Sequence, residues 1–345
     1  MLRLRFFGIA AVSLGILAAA PAGSFRAEQS PDIPTVPPIR VQSSLVLVDV
    51  ISQDPKSGLP VRDFGKSDFR LFNDGHEVSI ATFDAGARFD TRPVIVWLAV
   101  ICNERGKIGG SAEYAGKEGL FRPALDHLDR NDRVGVAHWC DDGEATLDLP
   151  PTEDRDKPLR VLADTIKPIS FEAGSRHAND VGEAAFRKMV RLIIRDARQR
   201  NPQPLPVIVF IDGDYTGQWP GELDDVVNDF LETSGIVFGV KDHLYPEVPP
   251  WLHNGQRGAI LHYMAEQTGG EYFTVPPSAY STALEMILLQ LHFRYQLGFI
   301  PAAIDGKRHS IKVELAKRAR EERKGVRLRY RREYIPARES PDWAR

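Results

Sequence analysis

A regular alternation of apolar strand patterns and helix patterns through residues 90–290 constrains the fold most. Four apolar runs predict strands: RPVIVWLAVI, DRVGVAHWC, PLPVIVFID and SGIVFGVKD. Five stretches predict helices: LFRPALDHLD, KPLRVLADTI, DVGEAAFRKMVRLIIRDARQR, ELDDVVNDFLET and GAILHYMAEQTG. Strands that are apolar throughout are typical of a parallel sheet covered on both faces. We therefore predict an α/β fold with a doubly wound, mostly parallel sheet, and EATLDLPP, directly after the second strand, predicts a short antiparallel hairpin at its edge.

Patterns typical of antiparallel strands flank this block on both sides. Residues 41–86 contain VQSSLVLVDVISQD and two alternating runs joined through Asn73-Asp74-Gly75, and an Asp-Gly pair between such runs predicts a hairpin. Residues 291–335 again alternate with period two. We expect the two flanking segments to pair into one small antiparallel β module, with the α/β domain of residues 90–290 inserted between them.

The first residues have the pattern of a secretory signal. Two arginines precede an apolar run of about 15 residues and an A-x-A-like site at Ala20-Pro21-Ala22. The run is short for a bilayer core of about 30 Å, so we predict a cleaved signal peptide at 1–22, and an uncleaved membrane anchor is the alternative. Residues 23–40 then form a proline-rich linker and 336–345 a tail, and the mature protein would be secreted or periplasmic without a transmembrane segment.

Composition and motifs exclude several functional classes. The formal net charge of −3 provides no overall field that would attract nucleic acid. The chain has no G-x-S-x-G, H-E-x-x-H, P-loop or C-x-x-C motif, so no enzymatic activity is predicted. Its nine histidines form no metal-ligand spacing; His262 is expected on a helix surface and His309 in a structural role.

Five short motifs in order resemble the VWFA-related Acidobacterial domain family. They are the D-F and D-G elements in LVLVDVISQDPKSGLPVRDFGKSDFRLFNDGHEVSIATF, then DRVGVAHW, VIVFIDGD, AEQTGGEYF and YQLGFIPAAIDGKRHSIKVEL with VRLRYRREY. The resemblance covers roughly residues 41–335. It implies a von Willebrand factor A-like domain, a class that commonly binds protein ligands through Mg²⁺ at the carboxyl edge of the sheet, in the metal-ion-dependent adhesion site.

The resemblance also implies where that metal would bind, and most of the ligands are missing. Ala99, Ile101 and Asn103 align with the Asp and the two Ser of the D-x-S-x-S motif, and Asp212 is retained at a later ligand position. The threonine position aligns with Ser175 or Asn179, depending on the gap. Since Mg²⁺ requires oxygen ligands, we predict a degenerate site and no cofactor.

The same edge is the expected place for a ligand. Asn103, Glu104, Asp212, Asp214, Tyr245 and Trp251 all follow predicted strands and form the candidate ligand-binding edge. Asp212-Gly213-Asp214 is also explained by a turn in which Asp caps backbone amides. Alternatively, Asp212 and Asp214 could hold a cation with Glu104, Asp141 or Asp142, which would suit a cation-dependent hydrolase.

The two cysteines could form a disulfide. In the related domains the first two strands are parallel neighbours, about 4.8 Å apart, and Cys102 and Cys140 end them here. Export would place the pair in an oxidising compartment. We therefore expect Cys102 and Cys140 to be bonded.

A basic run near the end of the chain offers a different function. KRAREERKGVRLRYRR has nine Lys or Arg between Lys317 and Arg332. Val326, Leu328 and Tyr330 alternate with arginines, which predicts a strand with one solvated basic face. Such a face could bind an anionic glycan or lipid.

These observations favour an exported, non-enzymatic protein-interaction or adhesion-type protein that lacks a competent Mg²⁺ site. A cation-dependent hydrolase and a binder of anionic glycans or lipids are the alternatives. The sequence identifies neither the protein ligand nor the oligomeric state.

Overall fold

The computed structural model describes residues 45–85, 94–102, 121–140, 143–165, 177–200, 205–211, 224–242 and 260–336. The predicted signal peptide and linker lie outside the described residues, as does the tail beyond Pro336. No helix within the described ranges is long and apolar enough to cross a membrane.

Fourteen strands and seven α-helices are described. The strands are β1 (Val46–Gln53), β2 (Phe69–Asn73), β3 (His76–Val78), β4 (Thr82–Asp84), β5 (Ile95–Cys102), β6 (Arg133–Cys140), β7 (Ala145–Thr152), β8 (Pro206–Ile211), β9 (Ile236–Asp242), β10 (Tyr272–Val275), β11 (Tyr295–Phe299), β12 (His309–Leu315), β13 (Arg327–Arg329) and β14 (Glu333–Tyr334). The helices are α1 (Arg122–Asp126), α2 (Asp156–Thr165), α3 (His177–Gln199), α4 (Asp224–Thr233), α5 (Ile260–Thr268), α6 (Tyr280–His292) and α7 (Lys317–Glu322).

The central sheet confirms the predicted fold class. Its six described strands have the order β10-β9-β8-β5-β6-β7. All neighbours are parallel except β7, which pairs antiparallel with β6 at the edge. Every residue of β8 is buried, as expected for a strand covered on both faces. The sheet is therefore doubly wound and von Willebrand factor A-like.

Alternate residues of the central strands face two separate cores. Leu98 of β5 contributes to a core with residues of α1, α2 and α6. Its neighbour Trp97 faces the other side, where the core includes residues of α3, α4 and α5. On α3 the predicted stripe of Phe186, Met189, Val190 and Ile193 is buried in this second core. Period-two strands and a period-3.6 helix thus bury complementary faces.

Helix α6 was not among the predicted helices. Its apolar run Met286–Leu289 is continuous, and a short apolar run does not distinguish a strand from a buried helix. Tyr280, Ile287 and Leu291 pack it into the first core. It leads directly into β11.

The β module is built from both ends of the chain, as predicted. One sheet has the order β13-β1-β11-β4 and the other β14-β12-β2-β3. In the first sheet, β1 pairs antiparallel with β11, so that Val46 lies opposite Phe299. In the second, β2 pairs antiparallel with β12. Val48, Leu71, Tyr295 and Val313 contribute to the shared core.

The Asp-Gly hairpin forms as predicted, although its second run divides. Asp74 and Gly75 have φ of 49° and 80°, which is the type I′ geometry that matches strand twist. After the hairpin, β3 stays beside β2, while β4 joins the other sheet by pairing with β11. The predicted single second strand is therefore two short strands in different sheets.

The predicted solvated basic face is wrong. Residues 317–322 are helical in α7, and only Arg327–Arg329 form a strand, β13. Arg329 is mostly buried and pairs with Glu271, while Arg331 is only 6% exposed. Other parts of the protein cover both sides of this segment, and the alternation of arginines in the sequence does not reveal that covering.

Arg331 joins the β module to the α/β domain. Its guanidinium donates to the carbonyl oxygens of Leu231 in α4 and Leu47 in β1, at 3.1 and 2.5 Å, and to the Ser234 hydroxyl at 2.9 Å. Burial lowers the pKa of Arg331 to about 10, which leaves it charged at neutral pH. Because a buried charge is costly without hydrogen bonds, these acceptors favour one relative placement of the two parts.

His309 ties the hairpin to the start of β12. Its Nδ1 lies 2.7 Å from an Asp74 carboxylate oxygen and its Nε2 lies 2.9 Å from Asp305. Hydrogen bonds to the two carboxylates raise the pKa of His309, and the bonds to His309 lower the pKa of Asp74 and of Asp305. The structural role predicted for His309 agrees with these contacts.

This arrangement predicts a pH-dependent stability. The raised pKa of His309 adds stability fully below the unfolded value of about 6.5, and this stability is lost as pH rises through the folded pKa. The lowered pKa values of Asp74 and Asp305 add stability above about 3.9 that is lost at lower pH. In urea unfolding, the difference between wild type and His309→Gln should be largest near pH 5–6 and shrink at alkaline pH. A difference that stays constant across that range would contradict the assignment.

Candidate functional site

The carboxyl edge of the central sheet is the candidate functional site. The parallel strands β5, β6, β8 and β9 all end there, at Cys102, Cys140, Ile211 and Asp242. The chain runs from β5 outward to β6 and β7, then returns to the other side of β5 as β8. The order in which strands are added thus reverses between the parallel neighbours β5 and β8, and in open α/β sheets such a switch point opens a crevice at the carboxyl ends of the strands.

Most predicted edge residues follow these strand ends and lie outside the described residues. Asn103 comes directly after β5 and Asp212 directly after β8, at the two sides of the switch point. The other predicted residues that the structure does not describe are Glu104, Asp141, Asp142, Ser175, Asp214, Tyr245 and Trp251. Asn179 lies in α3, where only the backbone is described.

Ala99 occupies a position that does not suit a metal ligand. It is 0% exposed and pairs in register with Ala137 and Phe210. It belongs to the core that also contains Trp97 and Trp139. Ala99 has no side-chain oxygen, and desolvation would make a carboxylate unfavourable in this hydrocarbon environment. For Ile101, the next predicted ligand position, only the backbone is described.

The two cysteines end neighbouring strands in register. Cys102 of β5 lies opposite Cys140 of β6 in the parallel pairing. The side chain of Cys140 is buried, on the sheet face that carries Val136. The backbone therefore brings residues 102 and 140 to adjacent positions at the carboxyl edge.

A histidine–aspartate pair lies two residues before the end of β6. The Nδ1 atom of His138 is 2.9 and 2.8 Å from the two carboxylate oxygens of Asp148. The side chains are only 13% and 15% exposed. An ionised carboxylate only accepts hydrogen bonds. The Nδ1 atom of His138 is therefore the protonated ring nitrogen, and its N–H donates a hydrogen bond to Asp148. This contact fixes the orientation of the imidazole at the edge of the sheet.

A β-bulge brings Asp148 to the histidine. Val136 pairs with Leu149 and Ala137 pairs with Leu147, which leaves Asp148 as an extra residue on β7. Bulges commonly redirect a side chain in this way. The neighbouring Gly135 allows the close approach, since a Cβ there would lie 2.9 Å from the Leu149 carbonyl oxygen.

Two groups of side chains within the described residues have metal-ligand chemistry. At the carboxyl edge, ligand atoms of His138, Cys140 and Glu144 lie within 4.8 Å of one another. A thiolate, an imidazole and a carboxylate together would suit Zn²⁺. A sulfur that is part of a disulfide cannot act as such a thiolate, so the oxidation state of Cys140 decides what this group can bind.

The second group consists of Asp129, Asp132 and His292 and lies at the opposite edge of the sheet. Its contacts hold neighbouring elements of the fold together. Asp132 is 1% exposed, and its carboxylate accepts from the main-chain nitrogens of Val94 and Asp129 at 2.7 and 2.8 Å. His292 Nε2 lies 2.7 Å from the same carboxylate. These contacts join the start of β5, the loop after α1 and the end of α6. The oxygens of Asp132 are thus already used to hold the fold together.

The His138–Asp148 pair was not among the residues predicted from the sequence. The edge hairpin that carries both residues was predicted, and a His and an Asp on adjoining strands are a detectable signal. The bulge that aligns them is not visible in the pattern, because it shifts the register of β7 against β6 between Val136 and Ala137 without changing the composition of either strand. His262, by contrast, is exposed on α5, as predicted.

Comparisons with known proteins find similarity among solved structures. No family model and no curated protein matches the chain. The solved structures that it resembles include an aerotolerance-related membrane protein from Bacteroides fragilis, with 19% identity, a TM-score of 0.40 and coverage of 57% of this chain and 98% of that one. They also include a von Willebrand factor type A protein from Catenulispora acidiphila, with 8% identity, a TM-score of 0.42 and coverage of 85% and 74%. At these scores the assignment of the fold rests on the strand order described above.

Removing the partner of His138 should destabilise the protein. Asp148→Ala leaves a largely buried imidazole N–H without its acceptor, which costs about 1–3 kcal/mol of unfolding free energy. Glu153→Ala is the matched control, because Glu153 pairs with Arg133 on the same hairpin in an exposed position and should cost less than about 1 kcal/mol. Urea unfolding of both variants measures the difference. Equal costs would show that the His138–Asp148 contact contributes no more than a surface ion pair.

Proposed function

We propose that this chain is an exported, non-enzymatic interaction protein that binds a protein ligand at the carboxyl edge of its central sheet without a metal ion. The reversal of strand order between β5 and β8 carries the proposal. Asn103 and Asp212 follow these two strands directly in the sequence. In open α/β sheets, ligands bind at this place.

A protein partner suits the chemistry of the segments that follow the strands. The segment after β9 contains Tyr245 and Trp251, and aromatic residues of this kind contribute most to binding energy at protein interfaces. Asn103, Glu104 and Asp214 would add polar contacts around them. No catalytic motif accompanies these residues in the sequence, which supports binding as the activity.

A metal-free edge is supported by the residues of β5. Ala99 is part of the hydrocarbon core, and Ile101 has no ligand atom. Asp212 is the one retained ligand among about five aligned positions. A single carboxylate is a weak site for a hard dication that requires about six oxygen ligands.

The adjacent positions of Cys102 and Cys140 support a disulfide in the exported protein. Parallel neighbours in register bring their Cα atoms to about 5 Å, within the range that a disulfide bridges. The bond would hold together the ends of β5 and β6 beside the proposed ligand site. It would keep this edge in one conformation in the absence of a metal.

A photo-crosslinking amino acid tests the location of the binding site. Placed at Asn103 or Asp214 in the producing cell, it should capture a discrete protein partner. Placed at the exposed Arg130 or Glu153, which lie at the opposite edge of the sheet, it should not. Trp251→Ala should lower the yield at position 103 about tenfold or more if this residue is a binding hot spot. Equal capture from both edges would contradict the proposed site.

The disulfide predicts a linked peptide and a loss of stability on reduction. Non-reducing peptide mapping should find residues 102 and 140 in one cross-linked fragment. Reduction should lower the free energy of unfolding by about 4 kcal/mol, because the bond closes a loop of about 38 residues. A Cys102→Ser/Cys140→Ser variant is the control and should not respond to reductant. Two alkylatable thiols in the native exported protein would contradict this prediction.

A further inference from the structure

Helix α7, the turn that follows it and the first residue of β13 carry a group of exposed basic side chains. We propose that Lys317, Arg320, Lys324 and Arg327, here named the basic surface, bind a linear polysaccharide that bears sulfate or phosphate groups. All four side chains are exposed. They lie within eleven residues of sequence, on a chain whose formal net charge is −3. The location is distinct from the carboxyl edge of the central sheet.

Acidic neighbours neutralise other members of the basic run, but not these four. Arg318 donates to Glu322 at 2.8 Å within the helix, and Arg323 pairs with Asp63. Within the described residues, no ion pair joins the four members of the basic surface to a carboxylate. The pKa of Glu314 is lowered mainly by its hydrogen bond with Lys312, and the charge of Arg320 adds only a smaller effect. The positive charge of the surface is therefore available to an anionic ligand.

The fold itself separates this surface from the rest of the basic run. Arg329 and Arg331 turn inward and are used between the two parts of the molecule. Of the nine basic residues from Lys317 to Arg332, those from Lys317 to Arg327 are exposed, as is Arg332. The basic surface thus spans α7, the turn after it and Arg327, the first residue of β13.

The absence of apolar groups favours a water-soluble polyanion over a membrane. Ala319, the apolar residue within α7, is 3% exposed and faces the core of the β module. Interfacial helices need an exposed apolar face to enter the bilayer, and α7 has none. Single-stranded nucleic acids need aromatic stacking platforms, whereas Tyr330, the nearest aromatic in sequence, is buried. Sulfate or phosphate groups along a polysaccharide require only spaced Lys and Arg.

Neutralising the basic surface tests the proposal. The full chain is titrated with heparin and with phosphomannan at about 0.1 M NaCl, where surface charges still interact over about 10 Å. Lys317→Gln/Arg320→Gln/Lys324→Gln/Arg327→Gln should raise the apparent Kd about tenfold or more. The Lys/Arg exchange at the same four positions should bind like wild type, because it keeps every charge.

A matched control separates a local effect from net charge. Arg160→Gln/Lys188→Gln/Arg195→Gln/Lys307→Gln removes the same number of charges from exposed positions elsewhere and should change Kd less than about twofold. An equal loss in the control would overturn the local assignment. So would unchanged binding by the first variant, or wild-type binding to neither polysaccharide. Binding to vesicles containing anionic lipid, without binding to either polysaccharide, would overturn the choice of ligand.

Discussion

The pairing of β1 with β11 is the constraint on which the rest of the fold depends. These strands are separated in sequence by the whole α/β block, and their register brings the beginning and the end of that block together. A buried ion pair accompanies the pairing, since Arg294 Nε donates to Asp49 Oδ1 at 2.8 Å with both side chains less than 10% exposed. Gln296 donates to the same oxygen, and Arg294 also donates to the Leu291 carbonyl oxygen. These additional hydrogen bonds offset the desolvation that makes isolated buried pairs unfavourable.

Polar contacts then join the closed β module to the α/β domain. Gln53 of β1 and Gln290 of α6 both donate to Glu271, at 3.3 and 3.4 Å, and Arg329 pairs with this carboxylate. Arg331 adds its contacts to α4 and β1. Such groups must be satisfied where they are buried, so they restrict how the two parts can be arranged far more than apolar packing alone would. The described residues from 45 onward accordingly form one compact unit.

The sequence was sufficient to predict features that depend on local pattern, and insufficient where a second layer decides. The Asp74-Gly75 turn requires positive φ, and the stripe beginning at Phe186 requires a helix, so both could be predicted. Arg329 and Arg331 could not be placed, because period-two alternation does not reveal whether the opposite face is solvated or covered. Asp148 reaches His138 only through a bulge, and a bulge changes register without changing composition. For the candidate edge, the residues remain a prediction from the sequence, and the fold shows that the strands preceding them end together.

The account of function requires that this edge work without a divalent cation. The apolar surroundings of Ala99 are its physical basis, and the proposed disulfide would replace the cross-link that a metal otherwise supplies. Titration of the folded protein with Mg²⁺, Mn²⁺ and Ca²⁺, read out as the midpoint of thermal unfolding, tests this requirement most directly. The account predicts no change in midpoint with any of the three ions. A saturable rise that disappears in Asp212→Ala would contradict it and would favour a cation-dependent site.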